Sequence, residues 1–146
     1  MTFDSIQSYF AGLLSADSQI GPLGTPIQVD PFADPEAAKS AIATQLRVTG
    51  VSIEVGFPFI GAPETLLGGS THIDATCELY VAEHTQQAHT PAKAALVTRV
   101  ITTCTKPPGT TGQKPARLRS SESVKTDGGY ILHMLSFFVP MNIKQP

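Results

Sequence analysis

Between His72 and Val81 the chain reads HIDATCELYV, a strict alternation of apolar and polar side chains. Ile73, Ala75, Cys77, Leu79 and Val81 fall on one side, and His72, Asp74, Thr76, Glu78 and Tyr80 on the other. Only extended backbone separates neighbours at a period of two, so this stretch predicts a long β-strand with one buried face. A second run, GVSIEVGF, sets Val51, Ile53, Val55 and Phe57 against Ser52 and Glu54. Together the two runs predict a long antiparallel hairpin.

Helical periods flank these strands. Phe3, Ile6, Phe10, Leu13 and Leu14 recur at three- and four-residue steps, with Thr2 as a candidate cap, and the helix is expected to end before Gly21. A short strand, Pro26 to Val29, follows, and its proline suggests a sheet edge. Asp34-Pro35-Glu36 combines a capping side chain, a proline where no donor is needed and an acid in the first turn, so a second helix is predicted to about Val48, with Gly50 as its stop. Thr90-Pro91 repeats the cap-plus-proline device before Ala94, Leu96, Val97, Val100, Ile101 and Cys104, a broad apolar helix face. Two last strands are expected, roughly Arg117 to Lys125 and Tyr130 to Pro140, joined by Asp127-Gly128-Gly129. The second is apolar on both faces, which suits the centre of a sheet or an edge against a partner. The order predicts one α+β domain, a mainly antiparallel sheet of about four to five strands with helices packed on one face.

Two segments do not fit a compact hairpin design. Residues 57–70 and 105–116 read as long loops, the second built on KPPGTTGQKP. The first, within VGFPFIGAPETLLGGS, carries Phe57, Phe59, Ile60, Leu66 and Leu67, far more apolar bulk than a turn requires. Either these side chains fold back onto the domain or they serve another molecule. Their prolines and glycines would permit an extended path away from the sheet, which favours an arm for subunit contact.

Composition narrows the function classes. The 146 residues are 41% hydrophobic and only 15% charged, so much of the surface is neutral and suited to assembly. No apolar run approaches the roughly 20 residues that span a bilayer. MTFDSIQSYF lacks the basic start and apolar stretch of a secretory signal, and a cytoplasmic protein is expected. The net charge of −2 hides a basic late segment, in which Lys106, Lys114, Arg117, Arg119 and Lys125 face only Glu122 and Asp127. Such a segment forms a solvated loop, pairs with an acidic neighbouring subunit or touches phosphate. Zinc-finger spacing and aromatic-basic RNA-binding signatures are missing, so sequence-specific nucleic-acid recognition is not expected.

Candidate chemistry is sparse. Cys77 and Cys104 each sit on the apolar side of their element, which predicts buried thiols rather than a nucleophile or a disulfide. His72, Asp74 and Glu78 share a strand face at spacings that could hold a divalent metal, or could be a plain polar sheet surface. His84 and His89 fall in the connection before the third helix, where a solvated loop is expected, and His133 reads as a partly buried strand histidine with one hydrogen bond. LLGGS lacks the Lys-Ser/Thr and the following helix of a phosphate loop. No catalytic group, metal or cofactor is assigned.

The whole order of elements resembles the tail-terminator and tail-completion (minor tail) proteins of tailed bacteriophages. The likeness is carried by the capped DPEAAKSAIATQL helix, VSIEVGFPFIGA entering a long loop, STHIDATCELYVAEH with Glu83-His84 at its corner, the TPAKAALVTRVITTC helix and the closing GYILHMLSFFVPM. The resemblance implies a non-enzymatic structural protein that forms a ring, commonly of six copies, on the end of the tail tube. Such a ring stops tube polymerisation and offers a docking surface to the head-side connector. It further implies, as partners, copies of the chain itself, the tail-tube protein and the head-tail connector. Localisation would be the bacterial host cytoplasm during assembly and then the virion tail. Phe57, Phe59, Ile60, Leu66 and Leu67, with His72, Asp74 and Glu78, are the expected contact residues. The competing expectation is a small metal- or ligand-binding enzyme using the His72, Asp74 and Glu78 face.

Overall fold

The computed structural model describes residues 2–60, 64–65, 70–109 and 113–144. A 3₁₀ turn, Phe3–Ser5, runs directly into helix α1, Ile6–Ala16. Thr2 does not cap it through its side chain; the Ser5 hydroxyl donates to the Thr2 carbonyl at 2.8 Å and the tight turn takes up the start instead. α1 buries Ile6, Phe10, Ala11 and Leu14, the face expected of a helix lying on a sheet. Strand β1, Ile27–Gln28, precedes helix α2, Pro35–Thr49. The Asp34 carboxylate accepts from the Glu36 N–H at 3.0 Å, and Gly50 ends the helix in the left-handed region at φ 79°. Both signals work as the residue types dictate.

Strand β2, Val51–Val55, is followed by two short strands, β3, Phe59–Ile60, and β4, Glu64–Thr65, and then by the long β5, Ser70–His84. Helix α3, Ala94–Cys104, and the closing strands β6, Arg117–Lys125, and β7, Tyr130–Lys144, complete the chain. The sheet runs β1-β2-β5-β7-β6, with β3 and β4 also paired to β5. Only β1 and β2 run parallel, joined through α2; every other pair is antiparallel. The fold is therefore α+β. Its main path has five strands, and the insert after β2 adds the two short ones.

β7 lies between β5 and β6, which explains why it is apolar on both faces. Register places Cys77 opposite Phe137 and Leu79 opposite Leu135, so the odd-numbered residues of β5 and β7 share one face. That face and Val51, Ile53 and Val55 of β2 form the core, covered by α1 and α3. The Phe10 ring of α1 packs 5.5 Å from that of Phe137. α2 sits against β1 and β2, and its buried residue, Leu46, lies outside this cluster.

One carboxylate ties the two covering helices together. At the end of α1, Asp17 accepts from the backbone N–H groups of Gln19 and Ile20 at 2.9 and 3.0 Å, from Arg99 of α3 at 2.9 Å and from the Thr103 hydroxyl at 3.1 Å. Burial alone would raise its pKa, but the Arg99 guanidinium and these N–H and O–H donors outweigh burial and hold it at about 2.

α3 begins later than the Thr90-Pro91 signal suggests. The Thr90–Pro91 peptide is cis, and Lys93, at φ 53°, precedes the first helical residue, Ala94. The start is set by a buried acceptor rather than by the threonine: Glu83 takes the Lys93 N–H at 2.5 Å. No described helix is long and apolar enough to cross a membrane.

Candidate functional site

The insert after β2 is anchored by geometry that only glycine permits. The Gly56 N–H donates to the Glu78 carbonyl at 2.7 Å, and a Cβ on Gly56 would lie 2.8 Å from that same oxygen. The chain turns off the β2 line here, so Phe57 leaves the face it was expected to share with Val51, Ile53 and Val55 and is 44% exposed. It does not then run away from the sheet. β3 pairs Phe59 with Thr76 and Ile60 with Ala75, and β4 pairs Glu64 with His72 and Thr65 with Thr71. The reason lies in strand length: β5 continues well past Val55, the last β2 residue, and its backbone N–H and C=O groups there need partners. The insert supplies them.

The result is two sets of exposed apolar side chains, the Phe57 and Phe32 rings beside the start of α1 and Phe59 and Ile60 on opposite faces of the paired β3. The Phe57 ring meets Phe3 edge-on at 5.9 Å and Phe32 at 6.4 Å. Phe32 is 89% exposed, and Phe59 and Ile60 stay about half exposed. Leu66 and Leu67 lie outside the described residues, and the side chain of His72 is likewise not described. Sequence reading missed Phe3 and Phe32. Phe3 read as part of the first helix's core face. Phe32 carried a signal of its own, a lone aromatic in Asp30-Pro31-Phe32-Ala33-Asp34, where no periodic neighbour could bury it.

Asp74 and Glu78 occupy the sheet face opposite the core, as the alternation predicted. An Asp74 carboxylate oxygen lies 3.7 Å from the Arg117 guanidinium, and Glu78 accepts from the Tyr80 hydroxyl. That bond first, then burial and the charges of Glu78 and Glu54, push the Tyr80 phenol up to about 12. Among the described residues no group of three or more His, Cys, Asp or Glu side chains could hold a metal ion.

The histidines are where the structure departs most from the sequence reading. His89 is not in a solvated loop: its side chain is 4% exposed, and its Nε2 lies 2.7 Å from Glu83 Oε1. His133 makes two hydrogen bonds rather than one, through Nε2 to Glu83 Oε2 at 3.0 Å and through Nδ1 to the Ser123 hydroxyl at 2.7 Å. His89 Nδ1 lies 2.9 Å from the Gln87 carbonyl. Carbonyl and carboxylate oxygens both only accept, so each of these contacts is a hydrogen bond only when the His89 nitrogen facing it carries a proton. Glu83 thus stands between the two buried rings. His133 lies between the Glu83 carboxylate at Nε2 and the Ser123 hydroxyl, which can donate or accept, at Nδ1. Burial alone raises the Glu83 carboxyl, but the His133, Lys93 and His89 bonds and the His89 charge hold it below the usual range. The cluster fastens the 84–93 connection to the sheet beside a cavity of about 380 Å³, and its buried carboxylate has every partner it needs.

Cys77 and Cys104 are free and fully buried, as expected. Burial first, and then the neighbouring Glu78 charge, push the Cys77 thiol up to about 12. Burial raises Cys104 as well, so neither is poised as a nucleophile at neutral pH. No family model matches the chain, and no curated protein matches it.

Proposed function

We propose that this chain is a structural assembly protein of the tail-terminator type, which self-associates into a ring on the end of a phage tail tube and carries no bond-making chemistry. The observation that carries the reading is the exposure of Phe32 and Phe57, whose rings meet, and of Phe59 and Ile60 on the two faces of the strand paired to β5. Fully burying one such ring is worth roughly 1.5–3 kcal/mol, and a fixed backbone loses little entropy in presenting it. The partners in this reading are further copies, the tail-tube protein and the head-tail connector, met in the host cytoplasm and retained in the virion tail. Asp74 and Glu78 each have a partner within the chain, which suits a polar surface better than a ligand set.

The test is the mass of the purified protein at rising concentration, read beside electron microscopy of phage tail tubes assembled in its presence. Rings that cap tubes, and their loss in Phe32→Ser with Phe59→Ser, are the expected results. A wild-type chain that stays monomeric and leaves tubes growing would sink the proposal.

A further inference from the structure

The connection from β5 to α3 is held where three parts of the fold meet. The His84 N–H donates to the Gly50 carbonyl at 2.7 Å, at the end of α2. Thr85 donates to the Gly129 carbonyl, in the turn between β6 and β7, from its N–H at 3.0 Å and from its hydroxyl at 2.8 Å. Beyond Thr85 the chain turns back onto one side chain. His84 Nδ1 lies 3.1 Å from the Gln86 backbone nitrogen and 3.3 Å from that of Gln87, and it accepts both N–H groups. Gln87 ties this turn to α2: its side-chain amide donates to the Val48 carbonyl at 3.3 Å, and it packs so close to Gly50 that a Cβ on that glycine would stand 3.2 Å from the Gln87 Cβ. The Gln87 carbonyl faces His89 Nδ1 at 2.9 Å.

A backbone N–H only donates, so each bond to His84 exists only while Nδ1 carries no proton. Protonation sets a third N–H against the two backbone groups, and both bonds are lost. We infer that His84 is a proton-operated catch on residues 85–89: its neutral ring closes the turn, and its imidazolium releases it. The closed turn binds one proton fewer than the open one, so closure is favoured as pH rises and is lost as pH falls. The groups around the catch do not share this demand. Tyr130 of β7 meets the His84 ring edge-on at 5.0 Å, and Glu83, His89 and Lys93 line the same cavity as His84, with His133 of β7 behind Glu83. His89 has the opposite need, because its two nitrogens face only acceptors. Glu83 is held below the usual carboxylate range and keeps its charge down to mild acid. Release frees Gln87 from Val48 and Gly50 and opens the cavity of about 380 Å³ that the connection lines. The catch does not depend on the assembly reading.

Amide hydrogen exchange of the full chain, read by NMR as protection factors at about pH 7.5 and about pH 5, on either side of the ordinary imidazole range, tests the inference. Three proteins are compared: wild type, His84→Asn and His84→Phe. Asparagine offers an oxygen where Nδ1 stood and accepts at either pH, whereas phenylalanine keeps a ring against Tyr130 and accepts at neither. Two neutral hydrogen bonds are at stake, so wild-type protection at Gln86 and Gln87 should fall about tenfold or more on acidification. In His84→Asn it should stay level or rise as His89 gains its proton, and in His84→Phe it should be low at both pH values. The wild-type His84 ring should carry its proton on Nε2 at the higher pH, read from its nitrogen shifts. Protection at Cys77 and Leu79, in the middle of β5, should hold throughout and shows that the sheet is intact. If a variant loses that protection, the wild-type exchange and ring shifts decide alone. Wild-type protection that does not fall, the same fall in His84→Asn, a ring proton on Nδ1, or a closed turn in folded His84→Phe would each overturn the inference.

Discussion

Asp17→Asn tests whether one buried carboxylate holds α1 to α3. The substitution keeps the shape and preserves an oxygen that can accept from Gln19 and Ile20, but it removes the charge opposite Arg99 and one acceptor shared with Thr103. The Asp17 side chain is 1% exposed and that of Arg99 36%, so the aspartate loses its solvent screen almost entirely while the arginine keeps part of its own. Breaking a fully buried pair costs roughly 3–5 kcal/mol; the solvated arginine brings the expected loss to about 2–3 kcal/mol. For a chain of this size that is a fall in melting temperature of about 4–12 °C. The pH dependence provides an independent check. Asp17 titrates at about 2 in the folded chain against 3.8 as the ordinary value. Its folded pKa is lowered, so its stabilisation is present in full above 3.8 and is lost as pH falls towards 2. The shift corresponds to about 2 kcal/mol. Urea unfolding followed by circular dichroism at pH 7 and at steps from pH 5 to 2 measures both quantities. The gap between wild type and Asp17→Asn should be widest at pH 7 and close across the acid steps. If the variant loses less than about 0.5 kcal/mol at pH 7, or the gap stays constant down to pH 2, the carboxylate does not hold the helices as argued.

Glu83→Gln removes the buried charge and presents an amide to the Lys93 N–H and to the His89 and His133 rings, so a loss of about 3 kcal/mol is expected, with faster hydrogen exchange in residues 84–93. Because the Glu83 carboxyl is held below its ordinary value, the stabilisation it provides is present above that value and disappears as acid reaches the folded pKa; the variant should lack this part of the acid transition. Cys77 and Cys104 should react with a thiol reagent at neutral pH only as fast as the chain opens, and prompt labelling of either in the native protein would contradict their burial.

The contrast between Asp34 and Glu83 shows which parts of this molecule its sequence could reveal. Asp34 caps α2 through the N–H of Glu36, two residues away, and the alternation around Cys77 needs only its own strand to be read. Local geometry determines both, so residue type and spacing suffice. Glu83 stands at the next odd position after Ile73, Ala75, Cys77, Leu79 and Val81, which put a carboxylate on the core face in plain view. Its partners were not in view: His133 lies fifty positions on and arrives through the pairing of β5 with β7, while His89 arrives because the connection folds back beneath the strand end. The same distinction governs the surface. Phe57, Phe59 and Ile60 were recognisable as surplus apolar bulk, yet their attachment to β5 follows from the mismatch between a five-residue β2 and a fifteen-residue β5, a property of neither strand alone. A strand edge left open beside apolar residues draws those residues onto it, so part of an apparent loop becomes hydrogen-bonded strand carrying the exposed Phe59 and Ile60. Arg117 and Arg119 follow the same logic in β6, where the bulge and the register with β7 bring both guanidinium groups over Phe138. The charge balance of the late segment was legible in the sequence; its placement on the same face as Glu78 and Glu122 is a consequence of the sheet.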